Sequence, residues 1–405
     1  MANGGRQCQK FSMSIKPSLD KSDLPLNGIL VLDFSQFLAG PVAAMRLADM
    51  GARVIKIERP GTGDIGRTLA FAGLEKDGDT LSFHIMNRNK ESFAADLKNS
   101  ESLAQVWELV KKADVIIQNF RPGVIERLGL GYEDVKKVNP RIIYGSATGY
   151  GAEGPFKDRP GQDLLAQSIS GLPWLNGRAG DPPIPVGLAV ADIFTSTHLA
   201  SGVMALLLRR ERTGKGGMVE SSLLESMLDL QFELISANLF DPSVVVNRGA
   251  GNSAHAFLPA PYGLYPTKNG YLAIAMTPIP ALGKLIGVDL DKYEDPKSWW
   301  SEQEAIMKAL SAKIATQETD HWLAILDAAD IWCAPVLTLP ELVEHEGFSA
   351  IDMVQKTERT GKDGSKITIP TTRSPMRIDG KTVKHSKGAP HVGEDTEKIR
   401  KEFGI

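Results

Sequence analysis

The sequence predicts an α/β protein, with a doubly wound parallel sheet in a large domain and a smaller α+β domain after it. Two observations carry that class. Short, branched apolar runs alternate with helical patterns along residues 26–205, which is the mark of βαβ units, a parallel sheet and right-handed crossovers. Beyond residue 217 the alternation gives way to a strand leading into a long helical pattern, a loop rich in Gly, Pro and Ala, and one further strand signal. A length of 405 residues suggests two or three domains. A chain that is 42% apolar and 23% charged buries cores of that size without staples.

The elements follow in order. Gly28 to Phe34 (GILVLDF) reads as a buried strand. Pro41 opens a helical pattern that Gly51 closes as a C′ residue. Arg53 to Glu58 is the next strand, completing one βαβ unit. Ser102 to Lys112 reads as a helix, Val115 to Asn119 as a strand, Tyr132 to Asn139 as a short helix and Arg141 to Ser146 as a strand. Ile193 to Arg210 is a long helical pattern after the apolar run Val186 to Ala191, and no apolar run reaches the length of about 18 residues that a membrane span needs. Met218 to Ser222 is a strand leading into one helix over Leu223 to Leu239. Gly249 to Gly263 is a loop, Tyr271 to Met276 a strand, and acidic, Trp-containing helical stretches run to Asp330. Lys356 to Lys387 reads as hairpins and loops.

Composition removes several function classes. The 46 basic and 49 acidic side chains leave a net charge of −3, which excludes polyanion binding driven by bulk charge. Cys8 and Cys333 form neither a disulfide framework nor a zinc site, so a reducing compartment is expected. The seven histidines show no metal-ligand spacing, and no metal is expected. Residues 1–25 are polar, carry Arg6 and Lys10 with no acid before Asp20, and read as a tail rather than a secretory signal.

The first βα turn, where α/β proteins meet nucleotides, is Ser35-Gln36-Phe37-Leu38-Ala39-Gly40-Pro41. It lacks the glycine pattern of a dinucleotide site, and Pro41 has no N–H to offer a pyrophosphate; Glu58 alone does not restore that reading. Gly214-Lys215-Gly216-Gly217 lacks Walker spacing and reads as a turn. Arg59, Lys90, Lys98, Arg121 and Arg127 fall near strand ends. Singly they are solvated charges; together they could line one sheet edge and receive phosphates. Asp192 stands between an apolar run and a helix. Periodicity reads it as a helix N-cap; the α/β context also makes it a carboxylate at the site face of the fold.

These stretches resemble the family III CoA-transferases, whose relatives include the α-methylacyl-CoA racemases. The matching segments are LNGILVLDFSQFLAGP (26–41), GARVIKIERPGTGD (51–64), NRNKESFAADLK (87–98), ADVIIQNFRPGVIERLGLGYE (113–133), NPRIIYGSATGYGAEGP (139–155), VADIFTSTHLASGVMALLLRRERTGKG (190–216), NRGAGNSAHAFLPAPYGLYPT (247–267), CAPV (333–336) and APHVGEDTEKI (389–399). The resemblance implies an interlocked homodimer. It implies a large CoA-binding domain of residues 26–205 and 331–405, a linker at 206–224 and a small domain at 225–330. It matches Asp192 to the catalytic aspartate, which would attack an acyl-CoA thioester, pass through a mixed anhydride and an aspartyl-CoA thioester, and deliver CoA to a second acid.

Further positions carry over singly. Gln36 and Ala39 would meet the CoA and the reacting acyl group. Arg59, Lys98 and Arg127 would lie towards the nucleotide and its phosphates, and Asn119 and Phe120 towards the pantetheine. Gly249 and Gly251 match a glycine loop over the nucleophile, here interrupted by Ala250. CoA and acyl-CoA enter as substrates, with no tightly bound cofactor. Small carboxylic acids are the other substrates, and neither nucleic acid nor membrane is a partner. The location implied is cytoplasmic, or the mitochondrial matrix in a eukaryote. Racemases carry His-Asp where this chain has Gln162-Asp163. An α-proton cannot be taken by a glutamine, so transferase is favoured over racemase. A non-catalytic CoA-ester binder and a nicotinamide oxidoreductase are the remaining alternatives. Arg67 and Arg88 are the candidates for gripping a second carboxylate, against a reading as surface charges.

Overall fold

The computed structural model describes residues 19–69, 71–243, 248–249 and 253–405. The chain divides into two compact units. One holds the residues up to Ser146, Leu199–Val219 and Met353–Ile405; the other holds Ala147–His198 and Glu220–Asp352.

The main sheet has six strands: β1 (Leu30–Asp33), β2 (Arg53–Glu58), β3 (Lys90–Ala94), β4 (Val115–Gln118), β5 (Ile143–Thr148) and β6 (Gly217–Ser222). Their spatial order is β3-β2-β1-β4-β5-β6. The pairs from β3 across to β5 are parallel, with Val31 opposite both Val54 and Val115. The order reverses between β1 and β4, so the crevice past their carboxyl ends is a topological switch point. Leu32, Ile55, Phe93, Ile116 and Tyr144 are buried with Val106, Leu109 and Val110 of the Ser100–Lys112 helix. Full burial of each such aliphatic or Phe side chain contributes about 1.5–3 kcal/mol.

Local chemistry explains the helix ends. Asn99 caps the Ser100–Lys112 helix by accepting from the amides of Glu101 and Ser102, both at 3.0 Å. The Ala39–Asp49 helix places Pro41 third, where an amide would have no intrahelical partner. It stops at Gly51, whose φ of 105° only glycine adopts easily, and Ala52 N–H returns to the Leu47 carbonyl at 3.1 Å. The Thr396–Phe403 helix seals the outer edge of β3. Ser92 N–H donates to Asp395 at 3.0 Å and Ala94 N–H to Thr396 Oγ1 at 2.9 Å, so the edge amides do not stay open.

The same unit contains a buried ionic network. Asp33, Lys56 and Lys90 have no exposed surface. Lys90 Nζ donates to Asp33 at 2.8 Å, to the Pro41 carbonyl at 2.9 Å and to Asn87 at 2.9 Å. Lys56 Nζ meets Asp64 at 2.8 Å and the Ser35 carbonyl at 2.7 Å. Burial pushes the Asp33 carboxyl up, but the ammonium groups of Lys56 and Lys90 more than offset this and hold it at about 2.

In the second unit a three-stranded antiparallel sheet joins Gly263–Pro266, Tyr271–Ile274 and Cys333–Pro335. The helices Ile279–Ile286, Gln303–Ile314 and Thr319–Ala328 pack on it around Tyr265, Leu272 and Trp322.

Several expectations change. The single helix over Leu223 to Leu239 is two, Leu223–Leu230 and Phe232–Phe240. The break is at Gln231, whose amide side chain donates to the Met227 carbonyl at 2.9 Å and the Ser170 carbonyl at 3.3 Å. The compact units also cut the chain differently from the boundaries 26–205, 206–224, 225–330 and 331–405. Residues 147–198 and 331–352 belong with the second unit, because their bonds run to it: Leu224 N–H to the Gly149 carbonyl, and Cys333 to Ile274 across the small sheet. Residues 354–372 do form a hairpin, Val354–Thr360 against Lys366–Thr372. The Val190–Thr213 helix is long and apolar enough by length and composition to cross a bilayer. Leu199, Ala200, Val203 and Leu207 of it are nonetheless buried in the first unit, as in a core helix.

Candidate active site

The first unit gathers most of the nominated residues beyond the carboxyl ends of its parallel strands. Gln36 and Ala39 follow β1, Arg59 follows β2, Lys98 lies four residues past β3, and Asn119 and Phe120 follow β4. Arg127 ends the short Val124–Arg127 helix that comes next. Arg59, Lys98 and Arg127 are exposed.

The turn after β1 is held from two sides. The Asn119 side chain accepts from Gln36 N–H at 2.8 Å and donates to the Gln36 carbonyl at 2.7 Å. This is a two-point grip on the backbone, across the switch point. Asp64 accepts from Phe37 N–H at 3.3 Å while its other oxygen pairs with Lys56. Phe37 sits in the left-handed region at φ 65° and leaves half its surface exposed, a combination that costs energy and is characteristic of functional turns. Gly40 has no room for a side chain: a Cβ there would lie 2.2 Å from Ser35 Cβ.

Three cations are committed elsewhere. Lys90 serves Asp33 and is fully buried, so it is not part of a phosphate edge. Arg67 pairs with Glu58 and Asp79 and lies 3.7 Å above the Phe83 ring. Arg88 pairs with Asp49 at 2.7 Å. Both arginines are buried, so neither is a surface charge and neither remains to grip a substrate carboxylate.

In the second unit, Asp192 is partly buried in the first turn of the Val190–Thr213 helix. It is not the N-cap. The amides of Ala191 and Asp192 donate to Asp163 Oδ1 at 2.7 and 3.1 Å, so a carboxylate from another helix, Asp163–Ser170, does the capping. Gln162 is the N-cap residue of that helix. Gly249 lines a cavity of about 380 Å³ with Leu172, Gln231, Arg248 and His255. Arg248 donates to the carbonyls of Asn176 and Pro182 at 2.8 and 3.0 Å. Gly251 and Ala250 lie outside the described residues. Among the described residues no cluster of His, Cys, Asp and Glu could hold a metal ion.

Sequence reasoning missed the side-chain roles of Asn119, Asp64 and Asp163. Asp163 reads from its neighbours as the start of its own helix, and nothing local points 28 residues ahead.

The turn after β1, clamped by Asn119 and Asp64, lies past the carboxyl ends of β1 and β4, the place where doubly wound sheets take their ligands. The chain belongs to CoA-transferase family III, whose profile matches residues 26–396, and it is a CoA-transferase. It is 33% identical over 392 residues to the succinyl-CoA:glutarate CoA-transferase of Mus musculus, covering 93% of this chain and 86% of that one. The acetyl-CoA:oxalate CoA-transferase of Acetobacter aceti is also 33% identical over 392 residues, covering 94% and 96%. The crystal structure of a CAIB/BAIF family protein from Brucella suis superposes with a TM-score of 0.80 at 31% identity, covering 94% of this chain and 99% of that one.

Proposed function

We propose that the enzyme moves CoA from an acyl-CoA to a free dicarboxylic acid through covalent intermediates on Asp192. The observation that carries this is the position of Asp192 inside a first helical turn whose leading amides are capped by Asp163 rather than by itself. Relatives named for succinate, glutarate, oxalate and mesaconate support small dicarboxylates as the acid class.

The steps balance without any redox partner. An Asp192 oxygen attacks the thioester carbonyl, the C–S bond breaks, and CoA leaves as thiolate with a mixed anhydride behind it. The thiolate then attacks Asp192 Cγ and expels the first acid as carboxylate, leaving an aspartyl-CoA thioester. The incoming carboxylate displaces the thiolate to form a second anhydride. Thiolate attack on the new acyl carbon releases product and restores Asp192. Thioester energy is retained throughout, provided water is kept out. Arg59, Lys98 and Arg127 supply the phosphate contacts, Phe120 packs along the pantetheine, and Gln36 and Ala39 face the acyl end. The racemase alternative is disfavoured, because Gln162 has no titrating group to take an α-proton.

The test is intact-mass spectrometry after mixing with succinyl-CoA, acetyl-CoA and related donors, alongside a CoA-exchange assay. The native chain gains an acyl- or CoA-sized adduct and Asp192→Ala does not, with exchange lost by roughly 1,000-fold or more. Undiminished exchange in Asp192→Ala would overturn the mechanism.

The working form is a homodimer. The Phe232–Phe240 helix has no buried residue, and Phe232, Leu239 and Phe240 are 61%, 77% and 92% exposed in the single chain. An apolar surface of that kind suits a second copy. Light scattering should give twice the chain mass of 43.9 kDa; a monomer at micromolar concentration would contradict it.

A further inference from the structure

We propose that Asp163 and Gln167 form a positioning dyad that holds the start of the Asp192 helix and keeps capping duty away from Asp192; this rests on reading Asp192 as the nucleophile. A helix N-terminus leaves its first amides without intrahelical partners. The ordinary solution is a side chain in or next to the first turn, and Asp192 is the acid present in that turn. Instead, Asp163 Oδ1 takes the amides of Ala191 and Asp192.

The second oxygen of Asp163 accepts from Gln167 Nε2 at 2.6 Å. Gln167 is 1% exposed and uses its remaining groups on the strand of chain entering the helix. It donates to the Leu188 carbonyl at 3.2 Å and accepts from Val186 N–H at 3.0 Å. One residue pair on a single helix therefore fixes residues 186, 188, 191 and 192.

The chemical consequence concerns nucleophilicity. Hydrogen bonds to a carboxylate stabilise its charged form and reduce its tendency to attack. Two helix amides, reinforced by the positive end of the helix, are strong donors. Assigning them to Asp163 spares Asp192 that penalty. The dyad touches no reacting atom in this scheme, so its loss should slow acylation of Asp192 and spare affinity for CoA.

The experiment is rapid-quench mass spectrometry of adduct formation with succinyl-CoA and acetyl-CoA, together with calorimetric binding of CoA. Asp163→Ala should slow the adduct by roughly 100-fold while the CoA dissociation constant stays within about threefold. Asp163→Asn keeps an oxygen for the two amides and should recover to within about tenfold of native. Should Asp163→Ala not fold, Gln167→Ala reports the same slowing to a smaller degree. Native adduct rates in Asp163→Ala, or equal loss in Ala and Asn variants with CoA binding lost in step, would overturn the dyad. If the native chain forms no Asp192 adduct with any donor, the parent mechanism fails as well; if native reacts, Asp192→Ala does not, and Asp163→Ala reacts at the native rate, the dyad alone fails.

Discussion

The Asn119 side chain ties the residue after β4 to the turn after β1, across the switch point. Replacing it with alanine removes both bonds to the Gln36 backbone and leaves a half-buried amide and carbonyl to find water. The turn would then sample other conformations, helped by the strain at Phe37. Steady-state exchange kinetics of Asn119→Ala should show kcat/KM lower by roughly 10- to 100-fold. Asn119→Asp keeps the acceptor but loses the donor, and should fall between. A variant with native kinetics would mean that the grip on Gln36 has no part in catalysis.

At the level of elements, Gly40 shows how competing terms are weighed. Alanine is the better helix former by about 1 kcal/mol, and Gly40 is helical. Against that stands a Cβ 2.2 Å from Ser35 Cβ and 2.5 Å from its hydroxyl, in a wall that Asp33 holds through two bonds to Ser35. Overpacking there costs about 3 kcal/mol, so Gly40→Ala should be less stable by about 2 kcal/mol in urea titration. An unchanged midpoint would show that the turn yields freely. Strands β1, β2 and β4, by contrast, were legible without any such detail, because they are short branched runs that only a two-sided sheet can bury, whereas β3, with the sequence KESFA, was not. The break at Gln231 was not legible, since periodicity continues across it and the Ser170 carbonyl that the Gln231 side chain meets lies on a helix far off in sequence. The placement of Gln36, Arg59 and Asn119 just past strand ends was legible. The site was illegible where partners lie far apart in sequence. Arg67 and Arg88 look free in the sequence, yet the fold surrounds them with Glu58, Asp79 and Asp49.

Across the whole molecule, the buried ionic network sets the response to acid. Asp33 has a folded pKa of about 2 against an ordinary value of 3.8. The unfolded chain therefore binds the proton first, and the stabilisation is complete above 3.8 and lost as pH falls through about 2. The difference is worth about 2 kcal/mol at neutral pH. Stability measured by urea unfolding should decline between pH 4 and pH 2 with this contribution included. Asp33→Asn should flatten that decline while costing about 3–5 kcal/mol at neutral pH, because two buried ammonium groups lose their shared partner. A native-like acid limb in Asp33→Asn would assign the pH dependence to other carboxylates.

The Thr396–Phe403 helix, which closes the edge of β3, has a consequence for the order of synthesis. The ribosome makes β1 to β4 early, then all of the second unit, and only afterwards Asp395 and Thr396. Through that interval the amides of Ser92 and Ala94 have no cap, and the newborn sheet presents an open margin to any passing strand. The nascent chain is thus most exposed to mispairing at β3 while its second unit is emerging.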